Sequence, residues 1–162
     1  MSRMDAFFYL EDVAKFRRTL DKVEAVPQKV VTKAAGKGRT VVRKAIRGQV
    51  PVDTGTLKRG VVSTGERSRT KGKKVYQLRF DPALNDVFQR PILNPGEAGG
   101  KNPKGYYPAS MEYGFLTRSK GGGLSYVPGY HFMRSGAEQS EAAAKSAMIR
   151  TATAELEKEW VK

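Results

Sequence analysis

Apolar residues recur every three to four positions over two long stretches of this chain and alternate over shorter ones. Between residues 27 and 47, Val30, Val31, Ala34, Ala35, Gly38, Val41, Val42, Ala45 and Ile46 form one stripe. Lys29, Lys33, Lys37, Arg43, Lys44 and Arg47 lie mostly away from it. This predicts a long amphipathic helix that starts at about Pro27, whose ring suits a first turn, and ends at about Arg47. Gly48 stops it and Pro51 keeps it from resuming. The small residues Ala34, Ala35, Gly36 and Gly38 would let another backbone come close. Each glycine costs about 1 kcal/mol of helix stability relative to alanine, so a packing contact or a bend is expected there. The second stretch begins at about Ser135, where Ala144, Met148, Ala152, Leu156 and Trp160 step by four with Ile149 beside them. Glu138 and Glu141 fall at the positive end of that helix's dipole, and Glu141 is spaced to pair with Lys145. A shorter helical pattern, Val13, Phe16, Leu20 and Val23, follows the aromatic cluster of Phe7, Phe8 and Tyr9.

Strands are marked by alternation. Residues 61–64 read as one strand. Residues 75–80 read as another, with Tyr76, Leu78 and Phe80 on one face and Val75, Gln77 and Arg79 on the other. Together they predict an antiparallel hairpin whose long tip carries Arg67, Arg69, Lys71, Lys73 and Lys74. Asp53-Thr54-Gly55-Thr56 predicts a turn leading into a short helical turn through Leu57 and Lys58. Asp81-Pro82 ends the second strand. Residues 82–105, rich in proline and glycine, read as a long loop with one helical turn at 83–88. Residues 107–115 supply a further strand, or a short helix followed by a strand. Gly121-Gly122-Gly123 places another loop nearby. The sum is one α+β domain over residues 1–162: an antiparallel sheet of three or four strands packed with a long helix in the N-terminal half and a C-terminal helix. Flexible loops are expected at 66–74, 82–105 and 116–127.

A chain of 162 residues is long enough to bury a core without staples. It has no cysteine, so neither a disulfide nor a thiolate metal site supports the fold. No run approaches the roughly 18 apolar residues that cross a bilayer, and the first ten residues, with Asp5 among them, do not read as a signal peptide. No membrane partner and a cytoplasmic origin are expected. The formal net charge is +14, and its location is more telling than its size. Residues 15–74 carry 18 Lys or Arg against 4 Asp or Glu, while the rest of the chain carries 12 of each. So lopsided a field attracts nucleic acid or an acidic protein surface, although a solvated basic face would have the same composition.

Catalytic motifs are not legible. Gly96-Glu97-Ala98-Gly99-Gly100-Lys101-Asn102 lacks the four-residue glycine spacing of a phosphate loop, and Asn102 stands where Ser or Thr would hold magnesium. His131 is the single histidine and lies between aromatics, a poor base for a serine or threonine nucleophile. The acids show no calcium-loop spacing. Asp53 and Glu112 are paired-carboxylate candidates by position only, and a turn-forming role for Asp53 is the simpler reading. No enzyme activity, cofactor or metal is expected. The serious alternative is sequence-independent DNA binding through the basic face of residues 15–74. Aromatics are not interleaved there, as stacking on single strands would require.

Three segments remain: Gln49-Val50-Pro51-Val52-Asp53-Thr54-Gly55-Thr56-Leu57-Lys58, Tyr106-Tyr107-Pro108-Ala109-Ser110-Met111-Glu112-Tyr113-Gly114-Phe115, and Pro128-Gly129-Tyr130-His131-Phe132-Met133-Arg134. In this order the chain resembles the neck and tail-completion proteins of long-tailed bacteriophages, the minor tail component or gene product ten family. Pro51, Asp53, Thr54, Gly55 and Leu57 match its helix end and Thr-Gly turn. Tyr107, Ala109, Glu112, Tyr113 and Gly114 match its aromatic stretch ending in Glu, an aromatic and Gly. Phe132, Met133 and Arg134 match the run that opens its last helix. His131 and Ser135 stand where the family commonly has proline, and the segment 81–105 is longer than usual. The resemblance implies a structural virion protein that joins the DNA-filled head to the tail. It would act as one subunit of a homo-oligomeric, sixfold ring around the DNA channel. Its partners would be head-closure or connector proteins and tail-terminator or tail-tube proteins, with non-specific contact to DNA in the channel. Its place would be the virion neck, after assembly in the host cytoplasm.

Overall fold

The computed structural model describes residues 28–52, 55–92, 103–118 and 122–160. The helical pattern of residues 7–24, Asp53, Thr54 and the glycine-rich run from Gly96 to Asn102 lie outside the described residues. The element order is α1 (Gln28–Gln49), α2 (Thr56–Gly60), β1 (Val61–Gly65), β2 (Tyr76–Phe80), a 3-10 turn (Pro82–Leu84), α3 (Asn85–Phe88), β3 (Gln89–Pro91), β4 (Lys104–Tyr106), α4 (Tyr107–Tyr113), β5 (Gly114–Arg118), β6 (Leu124–Pro128) and α5 (Phe132–Trp160).

The two long helices form the main packing contact of the described fold. The expected close approach is there, and it is made by small residues on both helices. Val30, Ala34, Gly38 and Ile46 are the buried positions of α1. Val30 and Ala34 pack with Ala152 and Leu156 of α5. At the other end, a Cβ on Gly136 would come within 2.6 Å of the Ile46 Cα, so only glycine lets the backbones meet there. This contact offsets the helix cost of Gly38 and Gly136, whereas Gly36 lies outside it. Of the apolar ladder expected on α5, Ala144 and Ala152 are buried while Ile149 faces solvent. The expected pair of Glu141 and Lys145 is formed at 2.5 Å.

The main apolar cluster lies at the C-terminal end of α1. It joins Ile46, Val50, Leu57, Val61, Phe88 and Phe132, with Leu78, Phe80, Tyr107, Met111 and Met133 packed against it. Phe80 makes edge-on contacts with Phe88 at 5.7 Å, Phe132 at 6.1 Å and Tyr106 at 6.5 Å between ring centroids. Such aromatic pairs add about 0.5–1.5 kcal/mol each beyond the area they bury.

The α+β class and both long helices are as expected, but the sheet is not. In place of one sheet of three or four strands there are three separate two-stranded antiparallel sheets, β1–β2, β3–β4 and β5–β6. The cause is local. Each strand has three to five residues and pairs with its neighbour in sequence. Pro82, Pro91 and Pro108 lie at or beside strand ends, where a residue without an N–H cannot extend a ladder. Between the hairpins the chain passes through helical turns that carry it away from the preceding edge. The helical turn expected at 83–88 is present as the 3-10 turn and α3, and the described parts of the loops expected at 82–105 and 116–127 also hold β3, the start of β4 and most of the β5–β6 hairpin. The β1–β2 hairpin is as expected, with Val61 opposite Phe80 and Gly65 opposite Tyr76.

Candidate interaction surfaces

The three sequence segments converge in space. Leu57 from the first is buried, Tyr107 and Met111 from the second pack on the same cluster, and Phe132 from the third is fully buried in it. Gly55 precedes α2 with φ 74° and Gly114 ends α4 with φ 86°, backbone conformations that favour glycine. The Glu112 side chain is 5 % exposed and receives the N–H groups of Met133 at 2.9 Å and Arg134 at 3.2 Å. These are free N–H groups of the first turn of α5, so a buried carboxylate completes that helix end. Backbone bonds reinforce the joint. Tyr130 N–H donates to the Met111 carbonyl at 2.8 Å, and His131 N–H to that of Glu112 at 3.0 Å. His131 holds a positive φ of 49° at this corner and its side chain is exposed. Glu112 is thus occupied by a helix end, and its proposed acid partner Asp53 lies outside the described residues. Arg134 is exposed and pairs with Glu138 at 3.1 Å. Tyr113 is exposed, Met133 and Pro51 half-buried.

From this joint the β5–β6 hairpin projects as an arm. Phe115, Leu116, Leu124, Tyr126 and Val127 are all exposed, Leu116 at 65 % and Leu124 at 67 %. Tyr113 and Tyr130 at its base are exposed as well. The base is fixed: Gly114 pairs with Pro128, and the Tyr126 hydroxyl donates to the Tyr113 carbonyl at 2.6 Å. A two-stranded hairpin alone in water is marginal at best, and contiguous apolar surface marks contact sites. The Gly121-Gly122-Gly123 run obscured this arm in the sequence. The signal was the pair of short β-prone runs, Phe115-Leu116 and Tyr126-Val127, on either side of it. Val52, Val87 and Ile92 are exposed as well. A hollow of about 40 Å³ adjoins Val87, between Pro51, Leu57 and Phe88.

The basic residues divide by environment. On α1, Lys29, Lys33, Lys37 and Lys44 are exposed and fall within about 80° of arc at 100° per residue, a single stripe. Lys33 is engaged across the helix pair, its Nζ 2.5 Å from Glu155 Oε2. Hydrogen bonds from Lys33 and then Lys158 hold the Glu155 carboxyl down at about 2. Arg43 is half-buried. Arg47 is structural: its Nη2 donates to the Arg59 carbonyl at 3.0 Å, and its buried Nε has no partner among the described residues. Burial and the neighbouring Arg43 pull its pKa below the usual arginine value. At the β1–β2 tip, Arg67, Arg69, Lys71 and Lys73 are exposed. Lys74 is half-buried, with its Nζ donating to the Glu66 carbonyl at 2.6 Å and lying 5.4 Å from the Tyr76 ring centre. Arg39 covers the same ring at 4.7 Å.

No family model, characterised protein or solved structure matches the chain. Among the described residues, no helix is long and apolar enough to cross a membrane. No group of three or more His, Asp or Glu residues among them is placed to hold a metal ion.

Proposed function

We propose that this protein is a structural subunit of the neck of a long-tailed bacteriophage. It acts as one copy in a sixfold ring that joins the DNA-filled head to the tail. The observation that carries the reading is the β5–β6 arm, whose apolar side chains are left exposed by the described residues. Its occupant is a second copy. A ring closes through heterologous contacts, in which two different patches of one chain meet. The arm is one such patch. The three sequence segments that resemble the neck family support the same reading, since the second and third form the joint from which the arm projects and the first packs Val50 and Leu57 into the apolar cluster they share. The remaining partners are then a head-closure or connector ring on one side and a tail-terminator or tail-tube ring on the other. The role asks for neither catalysis nor a cofactor.

Analytical ultracentrifugation and electron microscopy of the purified protein test the contact. The wild-type chain forms rings, and the double variant Leu116→Asp, Tyr126→Asp sediments as a monomer with an unchanged helical circular dichroism spectrum. Phage particles test the place. Without the protein, heads and tails accumulate unjoined. Joined, infectious particles made in its absence would end the neck reading, whatever the purified protein does.

A further inference from the structure

The loop that joins β1 to β2 is organised from within and clamped from outside. Glu66 N–H donates to the Val75 carbonyl at 3.0 Å, and the Ser68 hydroxyl donates to the Thr70 carbonyl at 2.8 Å and also meets that of Lys73. The clamp is Gln28, the first residue of α1. Its amide donates to the Lys73 carbonyl at 3.1 Å and accepts from the Gly72 N–H at 3.0 Å. The loop so held encloses an open hollow of about 270 Å³, bordered by Arg67, Ser68, Arg69, Thr70 and Lys73. At about 30 Å³ per water, it has room for a phosphate group and surrounding solvent. One acid also borders it, Glu66, whose carboxylate accepts from Gln77 Nε2 at 2.5 Å and keeps its negative charge.

Lys29, the next residue of α1 and the first of the lysine stripe, lies about 100° round the helix from Gln28 and is the stripe member turned least from it. From Lys29 to Lys44 the stripe runs about 22 Å at 1.5 Å per residue. Lys29, Lys37 and Lys44 are exposed along it. A compact, prearranged cluster of guanidinium, ammonium and hydroxyl groups suits a phosphate oxygen. A linear run of lysines continuing from it suits successive phosphates of a long polyanion. The nearby Tyr76 ring is covered by Arg39 and Lys74 and offers bases no free face to stack on.

We infer that the β1–β2 loop is a preformed seat for a backbone phosphate of duplex DNA, with Lys29, Lys37 and Lys44 following the same backbone. Recognition is independent of base sequence. The inference does not depend on ring assembly, because a monomer would carry the whole surface.

Fluorescence anisotropy with a random-sequence duplex, on the full chain and with oligomeric state recorded on the same samples, tests it. Each phosphate neutralised contributes about 0.9 to the slope of log K against log salt. Arg67→Gln, Arg69→Gln, Lys73→Gln together reduce the slope by about 3. Lys29→Gln, Lys37→Gln, Lys44→Gln reduce it by a similar amount. Gln28→Ala keeps every charge and releases the loop, so it weakens binding about threefold to tenfold at an unchanged slope. Lys58→Gln, Lys104→Gln, Arg150→Gln remove three exposed charges elsewhere and leave the slope within 1 of wild type. Three results would overturn the seat: an equal loss in that control, an unchanged affinity in Gln28→Ala, or equal binding of poly-glutamate at matched charge. Duplex binding without rings, or rings without duplex binding, separates this inference from the neck reading.

Discussion

Glu155 shows how a single side chain can be fixed by partners far away in sequence. It lies between Lys33 of α1 and Lys158 of its own helix, at 2.5 and 3.0 Å. These bonds hold its carboxyl at about 2, against 4.5 for an unperturbed glutamate. A carboxyl whose folded pKa is depressed adds stability above its unfolded value and loses it as pH falls through the folded value. The contribution of Glu155 is therefore complete above about pH 4.5 and fades toward pH 2. Thermal melts of wild type and Glu155→Gln should differ most above pH 4.5 and converge on acidification. Curves that stay parallel down to pH 2 would refute the linkage. Glu112 makes a complementary point. Its position before an aromatic and a glycine is visible in the sequence, but its task of completing the first turn of α5 is visible only when the two segments meet.

For the elements, the contact between α1 and α5 decides what each small residue is for. Gly36 and Gly136 are both helical glycines, and composition does not distinguish them. A Cβ on Gly36 would meet only the Tyr76 hydroxyl, at an ordinary 3.8 Å. Gly36→Ala should then stabilise the protein by about 0.5–1 kcal/mol through helix propensity alone. A Cβ on Gly136 would press on the Ile46 backbone, which cannot rotate away as a side chain can. Gly136→Ala should destabilise by about 1–3 kcal/mol, the usual range for overpacking. Urea unfolding of the two variants checks the opposite signs. Two destabilised variants would mean that the interhelical contact is not as described. The short strands obey a different rule: each hairpin closes on its sequence neighbour, so alternation and turn residues identified β1–β2 but could not say whether hairpins would join.

At the scale of the whole molecule, the described residues divide into a packed body and an arm that takes no part in its apolar clusters. Replacing residues 116–126 with Asn-Gly would join Phe115 to Val127, which already face one another, through a two-residue hairpin turn. The shortened protein should unfold cooperatively with a melting temperature within a few degrees of wild type, yet fail to form rings. Loss of the fold on shortening would place the arm in the core instead. The charge asymmetry belongs to this scale as well. The basic half supplies both the stripe and the loop seat, and one glutamine at the start of α1 clamps the loop.

The sequence by itself determined the elements whose causes are local. The helical stripe of α1, the ladder of α5, the turn glycines and the alternating hairpin with its basic tip each follow from a few neighbouring residues. Tertiary structure decided everything that depends on residues distant along the chain. It kept three hairpins apart where one sheet was expected, paired Lys33 with Glu155 and buried part of Arg47, removing both from the free basic face. It also gave Glu112 a helix end to complete and left the arm's apolar side chains in solvent. The reason is physical: propensity and periodicity are short-range, whereas burial, ion pairing and strand addition depend on which surfaces meet.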